Sequence, residues 1–392
     1  MKFELNNHQR KYLGLEIVPD NWEKVEITKE IFVYFDGNTI RKKISVGDYS
    51  YHEIKLEEET ENRTILLPKT SRGKNKKLNF SSLEARNGIG MYFSFEISGI
   101  TIGNHSTEKT YYSTDFENIK FKSINDLPLW LENYISNTTE SDLNDLQKIA
   151  TEKRKRIDLK EGDFFIYKVD RKNFGFGRLI CDIRKIRKNP DFKTNKNYGF
   201  SNLMTQPLVI KIYHIIQNSK EIDLTYLKSL KSLPSQYIMD NLLYYGDFEI
   251  IGNLPLEDWE IDFPISYARS ISYGDFDTVY LQYGKIYKET KRDKFYKYIE
   301  IPNPNPKGDW DKCLKFNLYR NESIQFGLDF NKSNLLQAIS ENSNQSYWNE
   351  EFYGRDTDLR NPMNMEIKKE IFDFFELDSS KSYSENLQKN EW

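Results

Sequence analysis

Cysteine, histidine and any surplus of one charge are in short supply in this chain, and each shortage removes a class of function. The 392 residues hold two cysteines, Cys181 and Cys313, far apart and in no metal-ligand or redox spacing. Such rarity fits a reducing compartment, so a cytoplasmic location is expected. No two of the histidines His8, His52, His105 and His214 are close in sequence, which rules out the clustered ligands of a binuclear hydrolase. Walker and Rossmann glycine spacings and a Gly-x-Ser-x-Gly elbow are also missing. The first residues have no apolar core for a signal peptide, and no run reaches the roughly 18 apolar residues of a membrane helix. Lys and Arg number 57 against 60 Asp and Glu, a net charge of −3, which argues against a general nucleic-acid binder. The expectation is therefore no catalytic residue, no metal ligand, no cofactor and no membrane. Carboxylates are plentiful enough to leave a Mg2+ or Ca2+ site open.

What the chain does have is rings. Aromatics make up 15% of it while hydrophobic residues reach only 38%, so large rings must fill cores that aliphatics usually fill. The most ordered stretch is residues 160–183. Gly162 and Asp163 form a turn, residues 164–169 are an aromatic and β-branched strand, and residues 170–173 are a polar turn. The returning strand carries Phe174, Gly175, Phe176, Gly177, Arg178, Leu179 and Ile180. The pattern predicts a β-hairpin with Phe164, Phe176 and Ile180 in the core. The two glycines mark a bulge, a bend or a close backbone approach. A small bent sheet or barrel starts here. Position 180 is Ile where a dinucleotide fingerprint needs its third glycine, so that motif is dropped. Cys181 and His214 fall in apolar strands and read as core residues.

This turn, strand, turn and Phe-Gly-Phe-Gly-Arg-Leu-Ile run resembles the opening of the immunity protein 26 family of bacterial polymorphic toxin systems, over about residues 155–300. The resemblance implies neutralisation of a cognate toxin by direct binding. The family description also includes a phosphotriesterase, so phosphotriester hydrolysis is the alternative. The resemblance leaves the first 150 residues unexplained.

The chain is long enough for two domains. Residues 1–137 read as a β-rich domain, with strands over 22–27, 31–35, 39–46, 64–67, 91–97, 100–103 and 109–112. The turn Asp36-Gly37-Asn38 joins two of them. Residues 138–158 read as a helical, charged linker. Residues 159–378 read as the immunity-like α+β domain, with strands over 208–216, 249–251, 279–287, 314–319 and 324–328. Helices are expected over 5–13, 124–135, 143–149, 224–233, 335–339 and 366–375, a basic mobile loop over 184–198, and a polar frayed tail over 379–392. The fold class is α+β, with two β-rich domains and flanking and C-terminal helices.

Two surface clusters stand out. Glu257, Asp258, Trp259, Glu260, Asp262, Asp275 and Asp277, with Tyr245, Asp247 and Glu249 before them, interleave acids and rings. Carboxylates steer a basic partner and rings hold it, so these are the candidate toxin-binding residues, with Trp259 as the anchor. Tyr273-Gly274-Asp275-Phe276 repeats Tyr245-Gly246-Asp247-Phe248 and reads as a similar turn. The second cluster, Arg63, Lys69, Arg72, Lys74, Lys76 and Lys77, suits phosphate contact or is a solvated hairpin tip. A nucleic-acid-associated defence role would rest on it. The oligomeric state is not legible.

Overall fold

Alternation of buried and solvent-facing residues along β3 (Thr39–Val46) sets the pattern of the first half: Ile40, Lys42, Ile44 and Val46 point in, and their neighbours point out. In the computed structural model the described residues are 3–66, 69–117, 119–188, 200–201, 203–272, 274–302, 314–322, 324–325, 332–349 and 355–390. They form two compact units. The first runs to Ile157 and includes Asp170–Lys172 and Tyr244–Asp247; the second is the remainder.

The first unit is built on an antiparallel sheet. Its strands are β1 (Glu23–Glu26), β2 (Ile31–Asp36), β3, β4 (Ser50–Glu61), β5 (Thr64–Ile65), β6 (Lys76–Lys77), β7 (Ile89–Glu96), β8 (Gly99–Asn104) and β9 (Lys109–Ser113). The main order is β1-β2-β3-β4-β7-β8-β9, with β5 and β6 branching from β4. Gly37, at φ +59°, turns β2 into β3. Rings fill the core: Tyr51, Phe93, Phe95 and Tyr111 pack with Leu127, Leu131 and Tyr134 of the helix Leu127–Ser136. Asn6 and Thr139 cap the helices Asn7–Tyr12 and Glu140–Thr151.

β4 was not foreseen, because its sequence is half charge. Its inward residue Glu53 is fully buried. The carboxylate accepts hydrogen bonds from Arg10 Nε at 2.9 Å, from Lys42 Nζ, and from the Tyr51 hydroxyl at 2.7 Å. Every charge in this cluster has a partner, which is the condition for burying it.

The second unit has a six-stranded sheet of β10 (Asp163–Lys168), β11 (Phe174–Asp182), β12 (Leu208–Gln217), β13 (Gln236–Ile238), β14 (Glu249–Asn253) and the later strand Ile324–Gln325. The order is β14-β10-β11-β12-β13 and then Ile324–Gln325, which runs parallel to β13; all other pairs are antiparallel. Three further strands, β15 (Ile265–Arg269), β16 (Thr278–Tyr283) and β17 (Ile286–Lys291), make a separate meander. Glu300–Pro302 pairs with Leu314–Phe316. The sheets are open, so the bent-sheet reading stands and the barrel does not.

Phe164, Phe176 and Ile180 are buried as expected. The register against β12 shifts between Gly175 and Gly177 and again between Leu179 and Cys181, and the glycines make room for rings. A Cβ at Gly175 would lie 2.2 Å from the Tyr167 ring, and one at Gly177 2.3 Å from the Phe165 ring. Cys181 is buried, and burial pushes its thiol pKa up. His214 is satisfied by Ala338 O at 2.8 Å and Asn344 Oδ1 at 2.9 Å.

Three expectations are corrected. Residues 279–287 are not one strand but β16 and β17, because Gly284 at φ +57° reverses the chain. Residues 183–188 are helical rather than loop, while 189–199 lie outside the described residues. The 379–392 tail contains the helix Tyr383–Gln388, with Tyr383 buried between Phe263 and Tyr283. Cys313 and Tyr273 also lie outside the described residues.

Candidate partner-binding surface

The chain leaves β14 at Asn253 and crosses to β15 through residues 254–264, which hold a single 3-10 turn, Asp258–Glu260. Strand pairing does not support this loop; a buried arginine does. Arg178 of β11 is fully buried, and its Nη2 donates to Leu254 O at 2.7 Å and Pro255 O at 3.0 Å. Its Nη1 pairs with Glu260, and the guanidinium lies 4.3 Å from the Phe164 ring centroid. Glu260 also accepts the Glu257 N–H at 2.9 Å. On the other side the Ser384 hydroxyl donates to Asp258 O at 3.4 Å.

Trp259 stands out from this frame at 61% exposure. Its indole Nε1 donates to Glu257 Oε2 at 3.0 Å, and Glu257 is in turn paired with Lys228. The hydrogen bonds of Lys228 and Trp259 hold the Glu257 carboxyl below its ordinary pKa, and the same bond raises Lys228. The result is an exposed ring with its polar edge satisfied and its orientation fixed.

The predicted acidic cluster is not one surface. Glu257, Asp258 and Trp259 are together and exposed. Glu260 faces inward, 3% exposed, so it supports the loop and does not steer a partner. Asp262 is half-buried and bonds Arg360 Nη1 at 2.9 Å and the Ser235 hydroxyl at 3.2 Å. Asp275 and Asp277 sit in the β15–β16 turn, at the opposite end of β15, roughly 17 Å of strand away. Asp275 accepts the Thr278 N–H at 3.1 Å, while Asp277 and Phe276 are exposed. Tyr245 and Asp247 belong to the first unit, where Asp247 accepts the Thr110 N–H at 2.6 Å, and Glu249, on β14, pairs with Lys220. Of the four acids in the 257–262 loop, only Asp258 has no ion pair among the described residues.

In the basic cluster, Arg63 is committed to Glu23 and lies 3.8 Å from the Phe35 ring centroid. Lys76 and Lys77 form β6, while Lys69, Arg72 and Lys74 are exposed on the connection from β5. Among the described residues no group of three or more His, Cys, Asp or Glu is placed to hold a metal ion. No helix of the described residues is long and apolar enough to cross a membrane.

Sequence reasoning missed Arg178 and Lys228 because neither lies near the acids they serve, in sequence. The only signal was a lone arginine in the middle of an apolar strand. No curated protein and no solved structure matches the chain. Residues 160–277, from the start of the hairpin through the Trp259 loop to the β15–β16 turn, match the family model of Immunity protein 26.

Proposed function

We propose that the protein neutralises a toxin by binding it stoichiometrically, and that the contact is centred on Trp259. The family match supports an immunity role in general terms. The exposed, hydrogen-bonded Trp259 on a braced loop is the observation that carries the surface assignment. Exposed aromatic rings held in one orientation are the residues that dominate interface affinity, since little entropy is lost when a partner closes on them. Electrostatics plays the smaller part. Glu257 and Asp262 are already paired, so steering falls mainly to Asp258, with Asp277 and Phe276 offering a second, separate contact.

The test is surface exchange at constant fold. Trp259→Ala and Asp258→Lys are compared in a toxin co-expression assay and in association kinetics, with circular dichroism as the folding control. Trp259→Ala should abolish protection through faster dissociation; Asp258→Lys should slow association in a salt-dependent way. Unchanged protection by Trp259→Ala moves the interface to the β15–β16 turn.

A further inference from the structure

Arg178 lies in the middle of β11, fully buried, within the Phe-Gly-Phe-Gly-Arg-Leu-Ile run. A guanidinium buried there needs partners, and its two Nη groups find them while Nε has none among the described residues. The partners they find are Leu254 O at 2.7 Å, Pro255 O at 3.0 Å and the Glu260 carboxylate, all in the loop that presents Trp259. Core strand and exposed loop are thus tied by one side chain. Within the loop the Ile261 N–H donates to Asp258 O at 3.3 Å. Other bonds also reach the loop, from the Leu254 N–H to Gly162 O at 3.3 Å, from Lys228 to Glu257, from the Ser384 hydroxyl to Asp258 O at 3.4 Å and from Arg360 to Asp262 at 2.9 Å, but Arg178 takes two of its backbone carbonyls and one carboxylate at once.

We infer that Arg178 is a positioning residue for partner binding: it fixes the path of residues 254–260 before a partner arrives and never touches the partner itself. This rests on the reading of Trp259 as the toxin contact, and adds a function for a core residue. A loop that is ordered only part of the time binds more weakly in proportion to its competent fraction. Loss of the pin therefore appears as weaker binding with the fold intact.

A purely structural arginine behaves differently, and the difference is measurable. Replacing a buried ion pair by well-packed apolar residues commonly leaves stability unchanged or raised. The double variant R178M/E260L therefore removes the pin and keeps the core filled. Two readings need no toxin: amide hydrogen exchange at Leu254 and Ile261, and the 19F signal of Trp259 in 5-fluorotryptophan-labelled protein, assigned with W259F. The expected result is an unchanged thermal midpoint, exchange roughly tenfold or more faster at both amides, and a Trp259 signal shifted toward that of free fluorotryptophan. A folded variant with both amides as slow as before and the signal unmoved overturns the inference. Should the double variant not fold, R178K takes the same readings; it keeps a charge beside Glu260 but lacks the fork that reaches both carbonyls, so the same outcomes decide. Toxin affinity is then measured on the loosened protein. A loosened loop with undiminished affinity refutes the Trp259 reading and leaves the pin standing; a loop that stays tight refutes the pin alone.

Discussion

At the scale of single residues, buried rings and buried charges hold the second unit in different ways. Phe176 is fully buried among Phe164, Ile166 and Tyr213. Truncation to Ala should cost about 3–5 kcal/mol, a large share of the roughly 5–15 kcal/mol that stabilises a domain. Urea unfolding followed by near-UV circular dichroism checks it, and an unshifted midpoint would place Phe176 outside the core. Asp358 is the charged counterpart, buried and bonded by the Arg360 guanidinium at 3.0 and 2.8 Å and by the Arg360 N–H at 2.8 Å. Burial opposes its charge, but Arg360 prevails and holds the carboxyl below its ordinary value of 3.8. A carboxyl whose pKa falls on folding stabilises above its unfolded value and loses that contribution as pH drops through the folded one. Wild type should therefore lose stability below about pH 4, near the unfolded carboxyl range. Asp358→Asn should be less stable at pH 7, with the gap to wild type closing as the acid is approached. A gap constant from pH 7 to 3 would contradict the ion pair.

Elements were legible where one signal dominated. The β10–β11 hairpin was readable because an aromatic run, a polar turn and a glycine-bearing return occur in order. β4 was not, because its buried positions include Glu53, and a charge hides a strand until its partners Arg10 and Lys42 are brought in by the fold. The β16–β17 reversal was missed because alternation continues through Gly284. The C-terminal helix was missed because its composition is polar, yet its local code is plain. Ser382 and Glu385 cap each other, with the Glu385 N–H donating to Ser382 Oγ at 3.2 Å and the Ser382 N–H to Glu385 Oε2 at 2.8 Å. The bonds from Ser382 hold the Glu385 carboxyl at about 2. Ser382→Ala should cost about 1 kcal/mol, read as faster amide exchange across residues 383–388. Unchanged exchange would mean that Tyr383 packing alone holds the helix. The candidate site was half legible. Glu257, Asp258 and Trp259 are exposed, but which acids of the loop face outward depends on Arg178 and Arg360, and those pairings span 82 and 98 residues of chain.

For the whole molecule, the family match covers residues 160–277. We propose that the two units are separable at residues 152–160, which have no regular secondary structure. Lys153, Arg154, Lys155 and Arg156 are all exposed there, so limited trypsin digestion should cut at these four positions early and leave a stable C-terminal fragment. A first cut within β10 would contradict this division.

The central claim is that the second unit binds a toxin through the Trp259 loop. Its most direct test is the dissociation constant of Trp259→Ala against wild type, measured by titration calorimetry with an inactivated toxin sought among the reading frames that neighbour the gene for this chain. A central aromatic anchor should cost about 2 kcal/mol or more, roughly thirtyfold in affinity. Tight binding by wild type that Trp259→Ala leaves unchanged would contradict the claim.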